Sequence, residues 1–139
     1  MKRTAIALVA LVLTSPALAQ QVRLDGQWHA RANINGNVID TVVVINGQQY
    51  SMSVTEVTAE GYHYATFQSG QFYFTPPSHL GFQVLDWSPK EYEGRPMSMP
   101  PNSNVTIQQA NGTMLVVSDD LCTQGGTVQQ CSATFYREL

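Results

Sequence analysis

The feature that most limits how this chain of 139 residues can fold is the alternation of apolar and polar side chains at every second position. In residues 24–33 the even-numbered side chains are apolar or small and the odd-numbered ones are polar, and residues 50–55 alternate in the same way. A period of two is typical of a β-strand with one buried face. Trp28 is therefore predicted to point inward, whereas His29 and Arg31 face water.

Other segments rich in β-forming side chains follow at short intervals. They are residues 38–45, 62–68, 71–75, 80–87, 105–109, 114–117 and 128–136. The turns predicted between strands are Asn46-Gly47, Ser69-Gly70, Pro76-Pro77 and Asn111-Gly112. Strands joined in sequence by short turns predict an all-β fold, namely an antiparallel up-and-down barrel of about eight strands, with a β-sandwich as the alternative.

The first 19 residues have the pattern of a secretory signal peptide. Lys2 and Arg3 precede an apolar run over residues 5–13, and Ala17-Leu18-Ala19 supplies the small residues of a cleavage site. The apolar run is too short to span a bilayer, which takes about 20 residues. We expect residues 1–19 to be removed and residues 20–139 to form a single β-barrel domain. The mature protein is expected to be a soluble monomer without a membrane span, periplasmic or secreted.

The charge of the chain argues against nucleic-acid binding. The sequence has 7 Lys and Arg against 10 Asp and Glu, for a net charge of −3. Two of the basic residues, Lys2 and Arg3, lie in the predicted leader, and the others are scattered. Phosphate recognition needs a clustered basic face, so no nucleic-acid partner is expected.

The chain has 2 cysteines, Cys122 and Cys131, both after the predicted leader. In an oxidising compartment their spacing predicts a disulfide across a hairpin. The histidines His29, His63 and His79 lack the spacing of a zinc motif, and no nucleophile elbow or phosphate-binding loop is present. The sequence therefore predicts a protein that is not an enzyme and carries no cofactor.

A second pattern links the two ends of the mature chain. Gly26-Gln27-Trp28 opens the first strand, and Arg137 in the last strand shares the parity of Cys131, Ala133 and Phe135. If the first strand pairs with the last, the guanidinium of Arg137 can lie on the indole of Trp28. This arrangement resembles the lipocalins and the wider calycin group of small β-barrels. The resemblance implies a calycin-like barrel that binds a ligand or a partner protein, with Gly26, Trp28 and Arg137 as its structural signature.

Residues 88–103 form the one long loop that the sequence predicts, because they hold a cluster of prolines that a central strand does not accept. Tyr92 and Arg95 in this loop are candidate contacts for a protein partner. Met97 and Met99 are a minor candidate for Cu(I) binding, with Trp87 and His79 upstream. The alternative interpretation is that the two methionines fill gaps at the barrel mouth.

These observations favour a non-enzymatic exported binding protein that holds a small apolar ligand in the barrel or at its mouth. The alternative is a protein-interaction module, such as an inhibitor of a secreted hydrolase, acting through residues 88–103 or the mature N-terminus. Large inward side chains could instead fill the barrel completely. The candidate ligand or partner contacts are Tyr50, Met52, Phe72, Phe74, Phe82, Trp87, Tyr92 and Arg95, and Val54, Leu80 and Val84 are further inward candidates.

Overall fold

The computed structural model describes residues 23–124 and 127–139, with side chains described outside residues 120–130. The predicted signal peptide, residues 1–19, lies outside the described residues, as does any mature N-terminus before Arg23. The described part of the chain is all-β. No helix in it is long and apolar enough to cross a membrane.

The described residues form ten strands in chain order. They are β1 (Gly26–Ile34), β2 (Asn37–Asn46), β3 (Gln49–Val57), β4 (His63–Thr75), β5 (His79–Ser88), β6 (Glu91–Tyr92), β7 (Arg95–Pro96), β8 (Ser103–Ala110), β9 (Met114–Gln124) and β10 (Thr127–Arg137). Eight of them close into a barrel in the order β1-β10-β9-β8-β5-β4-β3-β2, and β6 pairs with β7 alone. Each pairing is antiparallel, and β1 meets β10, so the predicted barrel is confirmed and the sandwich alternative is wrong.

The barrel has two ends that differ in their connections. The lower end holds the turns at residues 47–48, 76–78 and 111–113, together with the start of β1 and the end of β10. The upper end holds the turn at residues 35–36, the loop at 58–62 and the segment 89–102 that carries β6 and β7. The long predicted loop therefore lies at the upper end.

The hydrophobic core lies toward the lower end of the barrel. Trp28 is 1% exposed, and it packs with Ile45, Leu80 and Leu115, which are all buried. Trp28 stands opposite Val43 across the β1–β2 ladder, so the predicted inward face of β1 is confirmed. His29 and Arg31 point outward, where the two side chains hold the carboxylate of Asp40.

Ser69-Gly70, which the sequence predicts as a turn, is instead a β-bulge inside the single long strand β4. The register with β5 shifts between these two residues. A Cβ on Gly70 would lie 1.8 Å from the backbone oxygen of Gln83. Glycine here allows close approach of two strands, which is the other common reason for a glycine in a strand.

The predicted disulfide remains a prediction. Cys131 is not a free thiol, whereas the side chain of Cys122 lies outside the described side chains. In the β9–β10 ladder Gln129 stands opposite Cys122 and Cys131 opposite Asp119. The two cysteines thus lie on neighbouring strands, offset from each other along the ladder, beside a register shift between Gln129 and Cys131.

Candidate functional site

A cavity of about 240 Å³ lies inside the barrel. Among the residues whose side chains are described, every barrel strand except β4 contributes to the cavity wall, and β1 contributes the buried Trp28. The lining residues are Trp28, Val43, Ile45, Met52, Leu80, Phe82, Ser103, Val105, Leu115, Val117, Asp119, Cys131, Ser132, Ala133 and Phe135. The predicted large inward side chains therefore do not fill the barrel.

Three large aromatic side chains pack together on one side of the barrel, while Trp28 and Phe135 border the cavity from β1 and β10. Phe82 makes an edge-to-face contact with Tyr50 at 4.9 Å between ring centroids, and its ring lies 5.3 Å from that of Phe72. Phe82 borders the cavity, whereas Tyr50 and Phe72 pack behind it. The opposite wall carries smaller side chains, among them Val117 and Ala133, so the middle of the barrel stays open.

The lining is almost entirely apolar. Its hydroxyl groups come from Ser103 and Ser132 and its charged group is the carboxylate of Asp119, and none of the described lining residues is Lys, Arg or His. Burying an anionic group in such a place, without a cation to pair with it, is costly. The cavity therefore suits a neutral apolar molecule better than a carboxylate or a phosphate.

Arg137 closes the lower end of the barrel beneath this cavity. Its guanidinium carbon lies 4.3 Å from the centroid of the Trp28 ring. Its Nε donates to the carbonyl oxygen of Gly112 at 2.8 Å, and its two terminal nitrogens donate to the carbonyl oxygens of Arg23 and Asp25. Gly26, Trp28 and Arg137 come together as the sequence predicts, and they form the floor of the barrel.

Gly26 has a conformational and a steric reason to be glycine. Its φ is +127°, and an added Cβ would lie 2.7 Å from a terminal nitrogen of Arg137. The indole Nε1 of Trp28 donates to the carbonyl oxygen of Leu24 at 2.8 Å, so the ring is fixed from both ends. The Trp28 ring is therefore held by a hydrogen bond at its nitrogen and by the Arg137 guanidinium on its face.

The predicted contact residues on β3, β4 and β5 below Trp87 differ in where they lie relative to the cavity. Met52 and Phe82 line the cavity, and Tyr50 and Phe72 are buried beside it, with the Tyr50 hydroxyl accepting a hydrogen bond from Gln68. Phe74, next to the last residue of β4 at the lower end, is 41% exposed although its partner Leu80 on β5 is buried. Desolvation raises the pKa of the Tyr50 phenol, which keeps that group neutral.

Trp87 lies near the end of β5, outside the cavity lining. The ammonium of Lys90 stands 3.2 Å from the centroid of its ring and donates to Asp86 at 2.8 Å. The hydrogen bond from Lys90 lowers the pKa of Asp86, and a backbone hydrogen bond adds to the effect. The Nε1 of Trp87 is buried and has no hydrogen-bond partner among the described side chains and backbone.

Tyr92 and Arg95 stand opposite each other in the β6–β7 hairpin, and both are exposed. The ring of Tyr92 contacts that of Tyr64, with centroids 6.1 Å apart, which attaches the hairpin to β4. Desolvation raises the pKa of the Tyr92 hydroxyl, and Tyr64 adds to the rise. Neither Tyr92 nor Arg95 borders the cavity, so they do not belong to the same site as Met52 and Phe82.

The structure does not bring the proposed Cu(I) ligands together with a histidine. Met97 and Met99 are exposed in the upper segment, whereas His79 begins β5 at the lower end. In residues 23–124 and 127–139, as far as side chains are described, no group of three or more His, Cys, Asp or Glu could hold a metal ion. The interpretation that the methionines fill gaps also lacks support from their exposure.

Sequence reasoning missed most of the cavity wall. Val43, Ile45, Leu115 and Val117 line the cavity, although the list of candidate contacts omits β2 and β9. The signal that finds them is the same parity argument: on β2 the buried positions are Val43 and Ile45, and Val44 between them is 38% exposed. A β-branched run hides this alternation, because inward and outward side chains are equally apolar.

Sequence comparison gives no further guide to the site. No protein-family model matches the chain, and no curated protein matches its sequence.

Proposed function

We propose that this protein is a non-enzymatic binding protein that is exported to the periplasm or beyond and holds a small, neutral, apolar ligand inside its barrel. The observation that carries this proposal is the apolar cavity of about 240 Å³. Close packing is the rule in protein interiors, and voids larger than a water molecule are few. A space of this size in a domain of this length is therefore a feature that a ligand would occupy.

The size of the cavity limits the ligand. An apolar cavity of roughly 150 Å³ binds benzene in another protein, so this one takes an apolar molecule of roughly ten non-hydrogen atoms. The driving force is the removal of apolar surface from water. Rings and short branched chains fit this volume better than a long acyl chain.

The lipocalin-like resemblance supports the same proposal. The chain has an eight-stranded antiparallel barrel, and Gly26, Trp28 and Arg137 meet at its lower end as the resemblance implies. Barrels of this size are wide enough for one small ligand. The signal-peptide pattern supports export, since the mature domain then works where small apolar molecules are collected or carried.

Naphthalene is a suitable test ligand because it is neutral, apolar and has ten carbon atoms. We expect it to shift the NMR signals of the Trp28 indole and of the Val43 and Val117 methyl groups in the mature protein. Val43→Phe should weaken binding by about tenfold or more by filling the cavity. Val44→Phe, one residue along the same strand on the outer face, is the matched control and should bind as before.

Native mass spectrometry of protein purified from its own source tests the same proposal independently. We expect a co-purified neutral mass of the size that the cavity allows. A bare protein mass, together with the absence of naphthalene-induced shifts at the cavity residues, would contradict the proposed function. Shifts of equal size in both valine variants would place the binding elsewhere on the molecule, which also contradicts it.

A further inference from the structure

We propose that the ligand reaches the cavity through the side of the barrel, by a seam between β1 and β10. The seam is defined by residues 30–34 of β1 and residues 131–135 of β10. This inference rests on the proposed function, because it concerns access to the same cavity. It identifies Ala32 as the residue that keeps the route open.

The pairing of β1 shows where the barrel wall is incomplete. On one side β1 pairs with β2 along its whole length, from Gly26 opposite Ile45 to Ile34 opposite Asn37. On the other side, within the described residues, β1 pairs with β10 at Trp28 opposite Arg137 and at His29 opposite Tyr136. Above these two pairs the facing edges of the two strands are not joined.

Exposure of the inner wall supports an opening at this seam. Ala32 shares the inward parity of Trp28, and Ala133 shares that of Phe135, yet both alanines are exposed to solvent. Trp28, four residues before Ala32 on the same strand and nearer the lower end, is 1% exposed. Water therefore reaches the inner face of the barrel along the upper part of both strands. Small side chains at these positions leave the space between the edges unfilled.

The cavity itself extends to the seam between β1 and β10. A strand that faces a cavity contributes alternate residues, as β2 does with Val43 and Ile45. β10 instead contributes the consecutive residues Cys131, Ser132 and Ala133. Consecutive residues border a cavity where it passes the edge of a strand. The cavity thus reaches the edge of β10 that faces β1.

The upper end of the barrel is tied down by the segment 89–102. Tyr92 contacts Tyr64 on β4. The side-chain oxygen of Asn102 accepts a hydrogen bond at 3.0 Å from the backbone nitrogen of Val84 on β5. Both contacts hold the segment against β4 and β5, across the barrel from the seam. The seam has no ladder pairs to break between its described residues. The seam is the route with the lower barrier.

Ala32→Trp tests the route, because it places a large side chain at the seam without changing a residue that lines the cavity. The measured quantities are the association and dissociation rates of naphthalene, from NMR line shapes of the Trp28 indole signal. We expect both rates to fall by at least about tenfold. The dissociation constant should stay nearly constant, since the bound state is unchanged. Ala32→Phe is a smaller replacement with the same expected direction.

Two control variants separate the seam from the upper end. Asn33→Trp places the same side chain on the next residue of β1, where it points outward, and should leave both rates unchanged. Tyr92→Ala loosens the upper segment and should also leave them unchanged. Unchanged rates in both Ala32 variants, or faster exchange in Tyr92→Ala, would overturn the lateral route while leaving the proposed function intact. Failure of naphthalene to bind the unsubstituted protein would overturn both.

Discussion

The guanidinium of Arg137 lies on the indole ring of Trp28, 4.3 Å from guanidinium carbon to ring centroid, at the point where the last strand of the barrel meets the first. Its nitrogens donate to backbone carbonyl oxygens from three places in the chain, at Arg23, Asp25 and Gly112. The pairing of β1 with β10 is short, so this one side chain provides much of the closure of the barrel.

Replacing Arg137 by Lys should destabilise the protein although the charge is kept. An ammonium cannot donate in three directions from a planar fork, so carbonyl groups lose partners and the stacking on Trp28 weakens. We expect a loss of about 1–3 kcal/mol in the free energy of unfolding, measured by urea denaturation. Arg95→Lys in the exposed hairpin is the control. Equal stability of the Arg137 and Arg95 variants would contradict a closing role for Arg137.

The sequence predicted the architecture well because strand parity and turn residues are local signals. The alternation around Trp28 identified the inner face of β1, and the parity of β10 placed Arg137 on the same side as Phe135. The contact between the first and the last strand then followed from closing the barrel. The same parity argument predicted that Trp28 and Arg137 meet if the first strand pairs with the last, and the structure shows that they do.

The cavity itself was beyond prediction from the sequence. Whether an eight-stranded barrel is filled depends on how Tyr50, Phe72 and Phe82 cluster, and that is decided by side-chain packing between strands distant in sequence. The gap between β1 and β10 is equally hidden, since both segments have ordinary strand sequences. Gly70 was misread for a related reason: a glycine in a strand signals either a turn or a bulge, and the partner strand decides which.

Gly70→Ala should be among the most damaging single changes in the chain. An added Cβ would lie 1.8 Å from the backbone oxygen of Gln83, and no rotation of a side chain can relieve a clash with the main chain. We expect a loss of about 3 kcal/mol in the free energy of unfolding, or failure to accumulate as folded protein. Thermal unfolding of the purified variant measures it.

Gly112→Ala is the matched control for the bulge, because a Cβ there would meet no atom within 4 Å. Its stability should change by less than about 1 kcal/mol. If Gly70→Ala were as stable as Gly112→Ala, the two strands would not approach each other as closely at the bulge as the structure shows.

The two tryptophans should respond differently to replacement by Phe. Trp28→Phe removes the donor to the Leu24 carbonyl oxygen and part of a fully buried ring, so we expect a loss of about 2–4 kcal/mol. Trp87→Phe removes a buried N–H without a described partner and leaves an aromatic face for Lys90, so its stability should stay within about 1 kcal/mol of the parent. Urea denaturation followed by circular dichroism measures the free energy of unfolding of both variants. If Trp87→Phe loses clearly more than about 1 kcal/mol, the Trp87 N–H has a hydrogen-bond partner.

Asp40 should make stability depend on pH in the acidic range. The hydrogen bonds from Arg31, and after them the contact with His29, lower the pKa of Asp40 from 3.8 to about 2. A carboxyl group with a lowered pKa in the folded state stabilises the protein above its unfolded pKa. That contribution is lost as the pH falls from near 3.8 through about 2.

Asp40→Asn should therefore remove this part of the acid dependence of the unfolding free energy. At neutral pH the variant should still be folded. Titration of the Asp40 carboxyl carbon by NMR resolves the two causes. Arg31→Gln should raise the pKa of Asp40 more than His29→Gln does, since the paired hydrogen bonds of the guanidinium, at 2.7 and 3.0 Å, are the larger cause. The reverse order would show that the imidazole, and not the guanidinium, is the main partner of this carboxylate on the outer face of the barrel.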